Sequence, residues 1–363
     1  MRFRPANAIY IAAGITLLIT MFNREFSSER PRDQLQPAED AARRAASEKG
    51  RGRQAEHPAA IPPKGLRDVF WRVVSDISKD RVTMIAAGVT YYLLLAMFPS
   101  LAVLVSLYGL VADPAQIGSR LSSFAAALPP GSFDLVLDQL KSLTAQKTST
   151  LSFAFVAGFL VALWSAHSGV LALFEAMNVA YEETEKRSFI RLNLTAFCFT
   201  IGALIMVIIL SALVAAVPVV LNYLWLDRWV EDLALFMRWP VMFVLAMGII
   251  AAIYRIGPSR QPAKFRWITW GAALASLVWV LMSVAFGFYL NRFANYNATY
   301  GTLGALIGLL VWMWLSVVIL IVGAELNAEL EHQTVKDSTT GAPRPMGLRG
   351  AVVADTLGEI ADR

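Results

Sequence analysis

Six long apolar stretches alternate with short polar segments along the chain, and this pattern predicts an α-helical membrane protein. A helix needs about 20 apolar residues to cross the hydrocarbon core of a bilayer. The second stretch is interrupted by SAHSG, and the fourth is short unless residues 233–237 extend it past Arg238. We therefore expect an all-α, polytopic transmembrane helix bundle with six core helices, at residues 83–111, 151–181, 192–221, 239–254, 267–290 and 303–326.

Two segments precede this core, one polar and one apolar. Residues 23–65 are charged and poor in large apolar side chains, which is typical of a disordered linker. Residues 7–22, NAIYIAAGITLLITMF, form an extra apolar stretch near the lower length limit of a span, behind the basic head MRFRP. A reverse anchor, an uncleaved signal and an upstream extension of the reading frame all fit it. The predicted division is an N-terminal segment with a basic linker (1–63), the core (64–332) and a flexible tail (333–363).

The first loop on the outer side carries its own helical pattern. Asp113 and Pro114 suit an N-cap and a first helical position, and apolar residues follow at helical spacing. A second such pattern starts near Ser132, after PPG. We expect two short amphipathic helices that lie on the outer surface of the bundle.

Composition and charge agree with a membrane protein. The chain is 56% hydrophobic and 16% charged, whereas soluble domains carry about 25% charged residues. Its net charge of +5 suits contact with membrane lipids of the anionic cytoplasmic leaflet, and we favour this over nucleic acid as a partner. A second copy of the chain, in a homo-oligomer, is another candidate partner. The single cysteine, Cys198, lies in an apolar stretch, so no disulfide framework is expected.

Lysine and arginine are unevenly divided between the two sides of the predicted bundle. Twelve lie in residues 64–82 and in the second–third and fourth–fifth loops, and six lie in the loops of the other side. Basic loops stay in the cytoplasm. The protein is therefore expected in the bacterial inner membrane, with the start of the core and the C-terminus cytoplasmic.

No catalytic motif is present in the sequence. The three histidines, His57, His167 and His332, are far apart, and no HExxH, paired-cysteine, phosphate-loop or GxSxG pattern occurs. We expect no enzyme activity, no metal and no cofactor, although a site built from scattered carboxylates is left open.

Polar residues within apolar stretches are the candidate functional residues, because such residues are costly in a membrane. One group is His167, Glu175 and Asn178, of which the first and last share a helix face. They form a polar path or a proton-sensitive element, or alternatively a hydrogen-bonded cluster that holds helices together. A second group lies in residues 292–308, RFANYNATYGTLGALIG, and includes Asn297, Thr299 and Tyr300. This segment is either a tight outer turn or part of a permeation or substrate pocket.

Two glutamates near the end of the last stretch suggest a clamp on the cytoplasmic side. Glu325 and Glu329 are one turn apart near a helix C-terminus, where like charges repel and the helix dipole disfavours anions. A cation should compensate them. We predict that Glu325 pairs with Arg255 or Arg260, which lie in or beside the basic loop facing the same side.

Five segments taken in order resemble the YihY/BrkB family of bacterial inner-membrane proteins, once mislabelled ribonuclease BN. They are spread over residues 86–331 and read AAGVTYYLLLAMFPSLAVLVSLYG, ALWSAHSGVLALFEAMNVAYEE, YRIGPSR, YNATYGTLGALIGLLVWMWLS and GAELNAELE. The resemblance implies six membrane helices with cytoplasmic ends. It implies no established activity, since members are described as transporters or as envelope proteins linked to serum resistance. The N-terminal apolar stretch and long linker depart from the family pattern.

These observations support one leading function and one alternative. The leading expectation is a transporter or flippase-like protein for an unidentified envelope solute or lipid. The alternative is a scaffold that supports envelope integrity and transports nothing. The residues give no support to a nuclease.

Overall fold

The computed structural model describes residues 36–109, 151–223, 228–292 and 303–361, and over these ranges the expected all-α class is confirmed. No strand occurs within them, apart from an isolated antiparallel bridge between Ala263 and Thr339. Nine α-helices follow one another: α1 Gln36–Ser47, α2 Pro63–Lys79, α3 Val82–Gly109, α4 Leu151–Ala180, α5 Phe189–Tyr223, α6 Arg228–Ile256, α7 Phe265–Arg292, α8 Leu303–His332 and α9 Val352–Asp355.

Helices α3 to α8 correspond to the six predicted core helices. Within the ranges that the structure describes, three parts of them are long and apolar enough to cross a membrane, namely Phe189–Met206, Phe265–Leu290 and Gly304–His332. Val82–Met97 and Phe243–Ile256 are shorter apolar helical segments. The predicted apolar helix at residues 7–22 and the two amphipathic helices of the first outer loop lie outside the described residues.

Three helices differ from their predicted extents. The polar run SAHSG does not interrupt α4, because Gly169 packs against Leu93 of α3, where a Cβ would lie 3.3 Å from the leucine Cδ2. Helix α6 begins at Arg228, well before the predicted start at residue 239. It continues through Pro240 without a break. Helix α8 runs on to His332, since its terminal carboxylates find partners described below.

The helices pack as neighbouring pairs. The most extensive contact is between α3 and α4, followed by α7 with α8, and α8 also contacts α2 and α3. One buried cluster joins these helices, with Val82, Met177, Trp267 and Ile321 among its fully buried members. Large apolar side chains such as Trp164 and Val284 are exposed on the outside. This distribution suits a bundle whose outer surface meets lipid chains.

Side-chain hydrogen bonds tie α7 to α8 in their apolar part. The indole N–H of Trp279 donates to Ser316 Oγ at 2.9 Å, and that of Trp312 donates to Ser283 Oγ at 3.0 Å. Each helix therefore supplies one donor and one acceptor. Closer to the end of α8, buried Asn327 donates to the carbonyl of Ile268 at 3.0 Å and accepts from the amide of Gly271 at 2.8 Å.

The polar end of the bundle is formed by α2, residues 181–188, residues 257–264, the last turns of α8 and the chain after it. The predicted flexible tail is instead packed here: buried Arg349 donates to the carbonyls of Val335 and Ala354, both at 2.6 Å. Part of the predicted disordered linker is the helix α1. Beyond α1, buried Arg53 donates to the carbonyl of Gly358 at 2.7 Å. Composition alone suggests that such arginines are exposed to solvent. Here they are buried and donate hydrogen bonds to main-chain carbonyls.

Candidate functional site

Glu325 is a buried carboxylate that forms no ion pair with any residue the structure describes. It lies on α8 with 3% of its surface exposed, and its Oε1 has no hydrogen-bond partner in the described part of the chain. The charged groups that act on it most strongly are all acidic: Asp80, Asp76, Glu329 and Glu182. Because like charges repel most strongly in a poorly solvated environment, these neighbours disfavour a negative charge on Glu325.

Three elements bring these acids to Glu325. Asp76 lies in the last turn of α2, Asp80 in the turn to α3, and Glu182 just after α4. We call Asp76, Asp80, Glu182 and Glu325 the acidic cluster. Among the residues the structure describes, no group of acids, histidines and cysteines is arranged to hold a metal ion, and this includes the cluster.

The only ammonium group that the described structure pairs with the cluster is that of Lys79. Its Nζ lies 3.8 Å from Asp76 Oδ1 and 3.6 Å from Glu182 Oε1, and its side chain is 64% exposed. Burial, followed by the charge of Glu329, raises the pKa of Asp76 to about 6. Burial also raises the pKa of Asp80, against the opposing charge of Lys79. The cluster thus contains more carboxyl groups than the single positive charge of Lys79 can neutralise.

The backbone is unusual on both sides of the cluster. Arg81 and Glu182 have left-handed φ angles of 52° and 53°, the only positive values outside glycine in the described ranges. Such a conformation costs about 1–2 kcal/mol in a residue with a Cβ. Both residues sit at the ends of helices that the chain must leave abruptly, and together they place Asp80 and Glu182 beside α8.

The predicted pairing of Glu325 with Arg255 or Arg260 is wrong. Arg260 instead forms a bidentate ion pair with Glu331, with N–O distances of 2.7 and 3.3 Å. Ser338 Oγ donates a hydrogen bond to the same carboxylate at 2.6 Å. Arg255 lies over the ring of Phe265, 5.5 Å from its centroid. The reason is that α8 continues for two turns beyond Glu325, which places Glu331 level with the loop that carries Arg260.

The other predicted clamp residue, Glu329, contacts one arginine and one histidine, and neither is Arg255 or Arg260. Arg72 of α2 donates to its carboxylate through Nε, and His332 Nδ1 lies 3.1 Å from Oε1. Arg72 also donates to Gln333 Oε1 at 2.8 Å and to the carbonyl of Glu359 at 2.9 Å. In the sequence, the basic charge of residues 64–82 is more conspicuous than the helical spacing of their apolar residues.

The structure does not bring the predicted polar-path residues together. His167 is buried and its Nε2 lies 2.9 Å from Asn193 Oδ1 of α5, while Nδ1 has no partner among the described residues. Glu175 is exposed. His167 and Asn178 are eleven residues apart, which is about 16 Å along a helix. Asn297, Thr299 and Tyr300 lie outside the described residues.

Asn178 instead fastens the loops of the polar end. Its Oδ1 accepts from the amide of Ser259 at 2.7 Å, and its Nδ2 donates to Glu185 Oε2 at 3.1 Å. Arg187 donates to both oxygens of Glu185 and to the carbonyl of Gly257. The hydrogen bond from Arg187 is the main reason that the pKa of Glu185 is lowered to about 2. This network matches the structural alternative for Asn178.

Comparison with known families decides the identity of the bundle. The family model described as virulence factor BrkB matches residues 73–346, which include all six core helices. The chain belongs to this family. Among BrkB relatives, the ribonuclease-like protein YfkH of Bacillus subtilis is 32% identical over 74% of this chain and 95% of its own length. A UPF0761 membrane protein of Vibrio vulnificus is 26% identical over 71% of this chain and 80% of its own. No solved structure matches the chain significantly.

BrkB membership confirms the resemblance read from the sequence. With the apolar helices of the bundle, it identifies the chain as a membrane protein. The word ribonuclease belongs to the name of YfkH, while the UPF0761 relatives are named only as membrane proteins. The BrkB match includes the last turns of α2 and α8 and residues 181–188 and 257–264 of the polar end, and it stops at residue 346 within the packed tail.

Proposed function

We propose that the protein is a transporter of the bacterial inner membrane, that it moves an envelope solute or lipid, and that the acidic cluster binds the proton that drives it. One observation carries this proposal: an apolar helix holds Glu325 buried among like charges, with an oxygen that has no hydrogen-bond partner in the described structure. Burying an unpaired ionised carboxylate costs several kcal/mol. Ionisable groups kept inside membrane proteins at such cost mark ion and proton pathways.

The position of Glu325 on α8 suggests how proton binding would act. Gly323 and Asn327, four residues apart, share the face that contacts α7. Glu325 is two residues from each and so lies on the opposite face, towards Asp76 and Asp80 of the α2–α3 junction. A change in its charge would therefore alter the contact of α8 with α2 and α3, while the contact with α7 stays in place.

The acidic cluster also provides a route for the proton. Lys79 is exposed and bridges Asp76 to Glu182, so these carboxylates are closer to water than Glu325. With a pKa near 6, Asp76 exchanges protons readily at neutral pH. Asp76 would pass a proton to Glu325, and protonated Glu325 would let α8 settle against the α2–α3 junction.

A scaffold without transport is the second candidate function. It is favoured by the buried ion pairs of Arg260 with Glu331 and of Arg72 with Glu329, which fasten the polar end. The two proposals predict different roles for Glu325: a scaffold needs no proton there.

The proposed orientation puts the polar end in the cytoplasm. It is supported by the excess of lysine and arginine in the segments that form this end. The proton would then reach Glu325 from the cytoplasmic side. We further propose that the protein catalyses no covalent reaction, since no motif for hydrolysis is present in the sequence.

Transport in vesicles tests the proposal. Purified full-length protein would be reconstituted with a pH-sensitive dye inside, and challenged with the solutes and lipids that accumulate in a deletion strain. We expect proton movement coupled to one of them, retained in Glu175→Gln, which changes an exposed carboxylate, and lost in Glu325→Gln at unchanged thermal stability. Flux that survives Glu325→Gln overturns the site. Absence of flux in the wild-type protein with every such compound supports the scaffold.

A further inference from the structure

Helix α2 shows an exposed apolar stripe that nothing in the described structure covers. Its buried face, with Asp68, Val69 and Val73, packs into the polar end. The opposite face exposes four large apolar side chains: Leu66 by 44%, Phe70 by 58%, Trp71 by 39% and Val74 by 41%. Leu66, Phe70 and Val74 follow one another at a spacing of four residues, so they form a continuous line along the helix.

The stripe lies directly beside a membrane helix. Helix α2 ends at Lys79, and α3 begins at Val82 after a turn in which Arg81 has a φ of 52°. Met84, in the first turn of α3, is 68% exposed, as expected of a side chain that meets lipid. The last residue of the apolar line, Val74, therefore lies only about two helical turns along the chain before the start of α3.

The charges on the exposed face of α2 are positive. Lys64 and Arg67 are exposed next to the apolar line. The acids of the helix face the other way: buried Asp68 accepts from Arg51 Nη1 at 2.7 Å, and Asp76 belongs to the acidic cluster. A helix with aromatic and aliphatic residues on one face, flanked by lysine and arginine, is typical of helices that lie in the headgroup region.

We propose that α2 is an interfacial helix, in which Leu66, Phe70 and Val74 enter the headgroup–acyl boundary while Lys64 and Arg67 bind the phosphates of anionic phospholipids. The occupant of the stripe is thus the leaflet of the same membrane that the bundle spans. This requires only that the chain is a membrane protein, so it is independent of transport.

The depth of α2 can be measured in the full-length protein. Cys198 is replaced by serine, Phe70→Cys is labelled with an environment-sensitive fluorophore, and the protein is placed in nanodiscs containing phosphatidylglycerol. Glu56→Cys, at an exposed site between α1 and α2, is the matched control. Lipids brominated near the top of their acyl chains should quench the Phe70 probe and leave the Glu56 probe unchanged.

A second arm tests the headgroup chemistry. Attraction to an anionic surface is worth about a five-fold change in affinity per basic residue. In the K64E/R67E variant, the phosphatidylglycerol needed for half-maximal quenching should therefore rise at least about five-fold, and added salt should have less effect. R43E/K49E, which reverses two exposed charges near α1, should behave as the wild-type protein.

Two results would overturn the proposal. One is a Phe70 probe that is not quenched by brominated lipid in phosphatidylglycerol nanodiscs. The other is protection of the probe in detergent that grows with protein concentration, which would assign the stripe to a second copy of the chain.

Discussion

Gly271 of α7 and Gly323 of α8 meet backbone to backbone. A Cβ built on Gly271 would lie 2.1 Å from the carbonyl oxygen of Gly323, and one on Gly323 would lie 2.3 Å from the hydroxyl of Tyr254. That hydroxyl donates to the carbonyl of Leu320 at 2.8 Å. Three helices thus touch at one point, and small residues at such points allow membrane helices to pack closely.

We expect Gly271→Ala to loosen this crossing. The added methyl group meets a carbonyl that cannot move without displacing α8, and overpacking of this kind costs about 1–3 kcal/mol or more. Thermal unfolding in detergent, followed by tryptophan fluorescence, measures the loss. Gly287→Ala is the control, because it lies on the same helix and a Cβ there has nothing within 4 Å. Equal stability of the two variants would contradict the packing described.

Two glutamates on the same helix should respond in opposite ways to one chemical change. Glu331→Gln leaves the buried guanidinium of Arg260 without its counter-charge, which costs about 3–5 kcal/mol. Glu325→Gln removes no ion pair that the described structure contains, so its melting temperature should stay within about one degree of the wild-type value or rise. Differential scanning fluorimetry of both variants checks this. A large loss in Glu325→Gln would show that a cation does reach Glu325.

Asp76 should make the stability of the protein depend on pH between about 4 and 6. Its pKa is raised from 3.8 to about 6 in the folded chain, so its contribution to stability is complete below pH 3.8 and is lost as the pH rises through 6. Asp76→Asn should thus match the wild-type protein near pH 4 and exceed it by about 1–3 kcal/mol near pH 8. Urea or thermal unfolding across this range measures the difference. Asp40→Asn, at an exposed site on α1, should show no such crossover.

The orientation can be tested with reporters inserted into the intact chain. Insertions after Glu185 and Pro262, both at the polar end, and a fusion after Arg363 should all report the cytoplasm. An insertion after Ala145, in the loop predicted on the other side, should report the periplasm. A cytoplasmic signal at Ala145 would reverse or refute the proposed topology.

The six core helices could be predicted from the sequence because each one is a long apolar stretch, and bilayer thickness fixes the length required. The last turns of α8 could not. Glu329, Glu331 and His332 interrupt the apolar pattern, and only their distant partners, Arg72 and Arg260, explain why the helix continues. A pattern along one segment carries no information about an ion pair formed 71 residues away.

The candidate site was predicted only in part. Glu325 was recognised as an exceptional charge, and the expectation that it needs a cation followed from sound electrostatics. The expectation failed because Asp76 and Asp80 converge on the same place from a helix that the hydrophobic pattern did not reveal. Helix α2 is amphipathic and contains only short apolar runs. Its basic charge is therefore easier to recognise in the sequence than its helical period.

The bond from Arg53 to the carbonyl of Gly358 has a consequence for how the protein is made. Residue 53 is synthesised 305 positions before its acceptor. The carbonyl of His332 likewise accepts a hydrogen bond from the amide of Gly358 at 2.9 Å, which can form only after residue 358 has been synthesised. The membrane helices can therefore be inserted one after another, but the polar end is completed only after Gly358 has been synthesised. A chain truncated before residue 358 would lack both hydrogen bonds, and we expect its polar end to be more susceptible to proteolysis.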